Sequence, residues 1–461
     1  MSLTNSSTVR PTVPGPAGLP VIGSLLDLRR DPLSTFLDAQ REHGDVVRLE
    51  AGPPGLRSVF YAVFAPEGAQ QILATQAANF RKDHPFYEEV RQSFGNGLLT
   101  SQDDDYLRQR RLVQPLFTKR RVDGYASAVT TEADAVTARW RSVGDGVVDL
   151  VPEMNRLALR TVARILFGVD VEAAVDAIHR CAPVINDYVV SRAYTPLKFP
   201  RDWPTPRNLH NRRVTAELNA LCDRIVAERR TAAGATGAGD HDDLLSLLAA
   251  AGNDEDGTLD ATEVREQVLI FLLAGHETTA TSMAFALHLL ARHPDEQGRV
   301  RAELTEVLGE RAPTAADLDQ LPLLTRALKE SMRLYPAAPI VSRRAVAATE
   351  VAGFPLPAGA DVVVAPWVTH RHPGLWTDPE RFDPDRFTPE REAARHRYAW
   401  FPFGGGPRAC IGQHFSMLES VLALATLLRS YELTAVDQHV PVAAGITLQA
   451  TGPARIRLRA L

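Results

Sequence analysis

One cysteine stands in a setting that could do chemistry: Phe403-Gly404-Gly405-Gly406-Pro407-Arg408-Ala409-Cys410-Ile411-Gly412, a stiff, glycine-rich loop leading into the apolar helical pattern Phe415 to Leu428. Backbone N–H groups at a helix N-terminus stabilise a thiolate, and the thiolate is the form that binds metal. Glycines let the loop backbone lie close to a flat ligand, and Arg408 offers a fixed cation for a carboxylate beside it. A lone cysteine is usually only a small buried hydrophobe. The loop, the arginine and the helix start around Cys410 argue against that reading here.

A second group is Ala274-Gly275-His276-Glu277-Thr278-Thr279, in the middle of a long helical pattern. Glycine weakens a helix by about 1 kcal/mol, and an acid and hydroxyls must be desolvated there. Gly275 lets a ligand approach the backbone, and Thr278 can bond to the carbonyl one turn earlier, opening a groove for a small molecule. Glu277 and Thr278 would supply the acid and hydroxyl of a proton relay, as reductive cleavage of dioxygen requires. A polar helix face meeting internal water is the plainer alternative. His276 points away from Thr278 on a helix and reads as a satisfied core histidine.

The third group is Glu330 and Arg333, three apart on one helix face and followed by Leu334-Tyr335-Pro336. Such pairs are mostly exposed and contribute under about 1 kcal/mol. Downstream, the stretch Trp376 to Phe387 holds Arg381 and Arg386, either of which could close a buried structural triad. His370 and His372 share a face as zinc ligands might, but no third and fourth ligand stands nearby, so loop packing is expected.

The elements that must position these groups are mainly helical. From Asp260 to Arg292 runs one helical pattern, capped by Asp260 or Thr262 and stopped at His293-Pro294, roughly 50 Å long and apolar on every face from Val268 to Ala274. Strand patterns are few: Val46 to Glu50, Val59 to Val63, Asp361 to Ala365, and a terminal pair around Thr447 to Leu448 and Arg455 to Arg459. Residues 1 to 12 are expected to be disordered, and Pro14 to Pro20 form a turn-rich entry. Thr231 to Asp240 and Ala251 to Gly257 read as surface loops.

Neither linker nor repeat divides the 461 residues, so a single domain over 1–461 is expected. With 45% hydrophobic and 23% charged residues and a net charge of -5, the composition is that of an ordinary globular protein and gives no support to nucleic-acid binding. The longest apolar run is far too short to span a bilayer, and the first twenty residues lack signal-peptide order. Three cysteines are too few for a disulfide framework. A cytoplasmic protein without a membrane anchor is expected.

Taken together and in this order, the three groups resemble the cytochrome P-450 superfamily from about Pro14 to the end of the chain. Its pattern Phe-x-x-Gly-x-Arg-x-Cys-x-Gly is met at Phe403, Gly406, Arg408, Cys410 and Gly412. The resemblance implies a mainly α fold with small antiparallel β-sheets, and haem b (iron protoporphyrin IX) between a long central helix and the cysteine loop. Cys410 would be the axial thiolate, whose electron donation favours O–O cleavage. Glu277 and Thr278 look like the family's acid and alcohol. Ala274, Gly275, Gly404 and Gly412 would lie against the haem with Phe403. Glu330 and Arg333 match Glu-x-x-Arg, with Arg386 as the expected partner, although Pro379-Glu380-Arg381-Phe382 fits the literal motif better. Arg343, Arg408 and Arg110 should reach the haem propionates. Tyr106 departs from the family's usual Trp, but its hydroxyl could replace that contact.

By the same resemblance Leu99, Ala338, Pro339, Ile340, Val341 and Ile446 would line the distal pocket. All are small or aliphatic, which suits an apolar substrate such as a terpenoid, a polyketide or a fatty acyl chain. Phe86, Tyr87 and Phe94 could form a lid with Ala193 to Pro206. No flavin or iron–sulfur segment follows Leu461, so NAD(P)H would act indirectly, through a ferredoxin and its reductase. Arg108, Arg111, Lys119, Arg120 and Arg121 could steer an acidic ferredoxin to a monomeric enzyme. The implied reaction is insertion of one atom of O2 into the apolar substrate; its two rivals are a peroxide-driven haem oxidase, which usually lacks the acid and alcohol, and a haem sensor or carrier, in which a proton relay has no purpose.

Overall fold

The computed structural model describes residues 12–167, 172–193, 195, 198–236 and 244–461. Apart from Thr12, the N-terminal segment expected to be disordered lies outside these residues, as does the end of the Thr231 to Asp240 stretch. Two compact units emerge, and the chain passes between them several times.

The first unit comprises Met1–His84, Pro339–Pro379 and Arg395–Ala409. Its centre is a five-stranded sheet of β1 (Val46–Ala51), β2 (Ser58–Val63), β3 (Phe80–Arg81), β4 (Val341–Ala345) and β5 (Asp361–Val364), in the order β1-β2-β5-β4-β3. All neighbours are antiparallel except β5 and β2. β-Branched and apolar side chains of Val46, Val63, Val362 and Val364 are buried together with Tyr398 and Phe401, which carry the chain toward the glycine loop.

The second unit comprises Pro85–Ala338, Glu380–Ala394 and Cys410–Leu461. Its helices include α1 (Pro85–Phe94), α2 (Asp103–Val113), α3 (Leu150–Phe167), α4 (Glu172–Ala193), α5 (Pro206–Thr236), α6 (Ala261–Arg292), α7 (Pro322–Leu334) and α8 (Gln413–Ser430). The central helix α6 begins where Asp260 accepts from the Glu263 N–H while the Glu263 carboxylate accepts from the Asp260 N–H, a reciprocal capping box. By length and composition α6 could cross a membrane, but 67% of that window is buried inside the protein, as befits a core helix.

Three sequence expectations are corrected. The terminal segments do not pair with each other: Leu448–Ala450 pairs with Val442–Ala444, and Arg455–Ala460 lies between Tyr431–Ala435 and Val147–Asp149. Strand partners are chosen by long-range burial, which local alternation does not report. Thr231 to Thr236 belong to helix α5, because alanine-rich sequence favours helix as readily as loop. Within Ala251 to Gly257 a tight hairpin forms, Gly252–Asn253 against Gly257–Thr258. His293 does end α6, but Pro294 opens the next helix at its first position, where its missing N–H costs nothing.

Candidate active site

In the first unit the segment Phe403 to Ala409 is fixed by backbone geometry. Gly404 and Gly406 adopt positive φ values of 71° and 62°, and a Cβ on Gly406 would lie 2.0 Å from the Leu73 carbonyl oxygen. Any side chain there would push the loop away from the turn it rests on. The Phe401 N–H donates to His370 Nε2 at 3.0 Å, and Phe403 meets Trp400 edge-on. His370 and His372 therefore pack loops: His372 Nε2 bonds Asp45 at 2.9 Å, and among the described residues no group of three His, Cys, Asp or Glu side chains could hold a metal ion. Arg343 is buried on β4 with Nη1 donating to the Ser342 carbonyl at 2.7 Å, and Arg408 ends the 3-10 turn Gly406–Arg408.

In the second unit Cys410 is exposed, two residues ahead of Gly412, the N-cap of α8. A Cβ on Gly412 would have only the Cys410 Sγ near it, at 3.9 Å. The start of α8 is tied to α6 by the Thr279 and Ser416 hydroxyls, 3.2 Å apart, so the cysteine segment is anchored beside the polar break in the central helix. There the Thr278 Oγ1 donates to the Ala274 carbonyl at 2.7 Å, and Ala274 is exposed in the middle of an otherwise buried helix. A Cβ on Gly275 would meet nothing but Val162, the nearer methyl at 3.3 Å. Leu99, Ile446, Ile411 and Phe415 pack on the same apolar cluster as Leu272 and Leu273. Of the expected substrate residues the second unit thus gathers Leu99 and Ile446, with Ala338 at its boundary, whereas Pro339, Ile340 and Val341 fall in the first.

Glu277 is held by a residue that the sequence reading did not assign to the site: the Thr447 hydroxyl donates to Glu277 Oε2 at 2.9 Å. Both side chains also line a cavity of about 640 Å³. His276 is buried, with Nδ1 bonded to the Leu272 carbonyl, yet it lines the same cavity, a placement that helical geometry relative to Thr278 does not disclose. On α2, Tyr106 is buried and Arg110 Nε donates to Gln114 at 3.1 Å.

Glu330 and Arg333 are both fully buried. The Glu330 carboxylate accepts from Arg333 Nε at 2.6 Å and Nη2 at 2.9 Å, from the Asp383 N–H at 3.0 Å and from Arg386 Nε at 3.2 Å. Arg386 is thus the third side chain, while Arg381 supplies its carbonyl oxygen to Arg333. Burial pushes the Glu330 carboxyl up from its ordinary value, against the pull of Arg333 and Arg386.

The basic run is largely committed to ion pairs: Arg108 with Glu263 at 2.8 Å, Arg111 with Asp256, and Lys119 with Asp123 at 3.3 Å. Arg120 and Arg121 are exposed. The two expected lid segments are joined by a clasp whose acid the sequence reading missed. Glu89 on α1 is buried and accepts from Arg192 at 2.9 Å, from Lys198 at 3.2 Å and from Arg201. Of the intervening lid residues, 194, 196 and 197 lie outside the described residues. Burial pushes the Glu89 carboxyl up, but the three cations outweigh it and hold it below its ordinary value. Glu89→Gln is expected to lower stability by about 1–3 kcal/mol at neutral pH in urea unfolding, and to speed proteolysis around Phe199 and Trp203. Because the folded-state pKa is depressed, the contribution is complete above the unfolded value of about 4.3 and is lost as pH falls through the folded one. A gap between variant and wild type that stays constant down to pH 3 would contradict this.

Comparison with known proteins identifies the arrangement. A family model described as Cytochrome P450 matches residues 13–453. The chain is 38% identical over 414 residues to cyclooctatin synthase of Streptomyces melanosporofaciens, covering 89% of this chain and 88% of that one. It is 35% identical over 446 residues to pentalenene oxygenase of Streptomyces avermitilis, covering 96% of both. The crystal structure of the cytochrome P450DA heme domain superposes with a TM-score of 0.87 at 28% identity, over 98% of each chain. The mainly helical architecture, the small sheets and the ordered motifs are accounted for together: the chain belongs to the cytochrome P450 family and is a P450 monooxygenase, an oxidoreductase.

Proposed function

We propose that this enzyme is a terpenoid monooxygenase, with haem b held by Cys410 and with electrons delivered by a separate ferredoxin and its reductase. The observation that carries the haem assignment is the exposed Cys410 at the start of α8, anchored beside the opened face of α6 through Thr279 and Ser416. The donor set fits: one soft thiolate with no cluster of further ligands among the described residues suits a metal that brings its own equatorial ligands. The open strip at Ala274 and Gly275 suits a flat apolar group. Arg343, Arg408 and Arg110 would bind its carboxylates, and Tyr106 would add a hydroxyl.

Bound haem supplies activation of dioxygen, and the thiolate supplies electron donation. The overall reaction consumes substrate, O2, two electrons and two protons, and yields hydroxylated product and water. Thr278 holds its hydroxyl at the helix break, and Glu277, oriented by Thr447, supplies it with protons. The terpenoid assignment is supported by the names of relatives, pentalenene oxygenase and cyclooctatin synthase, and by the aliphatic lining around Leu99 and Ile446. We place the enzyme in the cytoplasm as one haem-binding domain, and the exposed Arg120 and Arg121 on the path of an acidic donor.

The test is an optical titration of the ferric protein with cyclic terpenes, macrolides and fatty acids. A saturable low-spin to high-spin shift with terpenes alone is expected; a shift only with another class would replace terpenoid in this proposal. Thr278→Ala is expected to keep that shift but to divert about half or more of the electrons to hydrogen peroxide, an order-of-magnitude loss of productive proton transfer. Peroxide yield per NADH unchanged from wild type would remove Thr278 from the mechanism.

A further inference from the structure

Between α1 and α2 the chain makes an irregular crossing, residues 95–101, in which Leu98 and Thr100 are buried and Leu99 is half-buried. The crossing lies close against α6: a Cβ on Gly97 would stand 2.9 Å from the Ile270 side chain and 3.0 Å from the Glu266 carbonyl oxygen, so a side chain there would lift the loop off the helix. Thr100 Oγ1 donates to the Gly95 carbonyl at 2.7 Å, and Arg91 Nη2 on α1 donates to the Thr100 carbonyl at 2.7 Å. The middle of the loop is held by two glutamines. The Leu98 N–H donates to Gln267 Oε1 at 3.0 Å, Gln267 Nε2 donates to Gln109 Oε1 at 3.0 Å, and Gln109 Nε2 returns to the Asn96 carbonyl at 2.9 Å. Both ends of this chain are backbone groups, a donor at Leu98 and an acceptor at Asn96, so the orientation of each amide is fixed. Gln267 is 0% and Gln109 3% exposed. Two buried amides cost more to desolvate than two apolar side chains of the same size, and what they add in return is direction: the loop, α6 and α2 are pinned in one register.

We propose that Gln267 is a positioning residue for the substrate: through Leu98 it fixes Leu99 against α6, and so sets the width of the pocket and the carbon that an apolar substrate presents. The proposal rests on the assignment of Leu99 to the substrate pocket made above. Gln267 stands two helical turns before Ala274, on the same face of α6 as the strip opened there, and Leu99 packs on the apolar cluster that holds Leu272 and Leu273. Apolar contacts attract a hydrocarbon without giving it a direction. Its orientation therefore depends on how firmly the walls are held, and a small displacement of a wall moves the reacting carbon. Gln109, the second member of the chain, directly precedes Arg110, so the same bridge also ties the loop to the helix that carries an expected haem ligand.

The experiment uses the haem-loaded full chain and two azoles that coordinate iron, imidazole as the small probe and clotrimazole as the bulky one, so it needs neither a substrate nor a redox partner. In Gln267→Leu, which nearly keeps the side-chain volume, the ratio of the clotrimazole Kd to the imidazole Kd is expected to fall about five-fold, the equilibrium equivalent of one net hydrogen bond, because the freed loop yields to the larger ligand. Hydrogen exchange of residues 95–101 should quicken roughly ten-fold while α8 keeps its protection. Gln109→Leu leaves the Leu98 bond in place and should change the ratio in the same direction by less. The double variant should match Gln267→Leu, since both side chains act through one chain of bonds. A general loss of stability would lower the urea midpoint without moving the Kd ratio, and an unchanged ratio in Gln267→Leu overturns the proposal. Should that variant fail to fold, an unchanged ratio in Gln109→Leu overturns it instead. Leu99→Ala separates this role from the pocket assignment on which it rests. A ratio moved by Leu99→Ala but not by Gln267→Leu refutes the role of Gln267 alone, whereas a ratio moved by neither removes Leu99 from the pocket as well.

Discussion

Cys410→Ala is expected to abolish the red-shifted Soret band of the reduced carbon monoxide complex and to reduce dioxygen-dependent turnover to the background of loosely held haem. The thiolate is the single protein donor assigned to the iron, and its electron donation is lost with it. The fold should survive. Cys410 is exposed, so its replacement removes no buried packing, and the Gly412 cap of α8 remains in place. Far-ultraviolet circular dichroism and the urea midpoint should stay close to wild type while the spectral signature disappears. A variant that kept the thiolate band would show that another group binds the iron, and the haem assignment would have to be rebuilt around it.

Glu330→Ala should act in the opposite way, through stability rather than chemistry. The carboxylate accepts four hydrogen bonds, and its loss takes the paired negative charge from the buried guanidiniums of Arg333, which is 0% exposed, and Arg386. Removing one partner of such a buried pair costs about 3–5 kcal/mol, because the remaining charges cannot return to water without opening the structure. For a chain that is stable by about 5–15 kcal/mol this would be a large fraction, visible as a fall in the urea midpoint and in soluble yield. Arg386→Ala should cost less, since Arg333 still satisfies both carboxylate oxygens. Equal losses in the two variants would mean that the network is not centred on Glu330.

The motifs were legible because their chemistry is local. A cysteine before a helix start, a glycine and threonine within one turn, and Glu330 three residues before Arg333 keep their relation in any fold that forms those helices. The capping box at Asp260 and Glu263 belongs to the same class, since it is complete within four residues. The choice of Arg386 over Arg381 came from the family resemblance and not from local pattern, since both occur in nearly identical tetrapeptides, and the 3-10 turn Pro384–Phe387 is what brings the Arg386 guanidinium to Glu330.

By itself, then, the sequence determined the helical class, the central helix and the residues around Cys410, Glu277 and Thr278, because hydrophobic period, capping and motif spacing are encoded in consecutive residues. Only the tertiary structure decided that Thr447 orients Glu277, that Glu89 gathers Arg192, Lys198 and Arg201, that the basic run is largely paired, and that the terminal strands choose other partners. Most of these contacts join residues far apart in the chain, 170 positions for Thr447 and Glu277, and they form where burial makes an unpartnered charge or backbone group costly, a condition that exists only once the chain has folded.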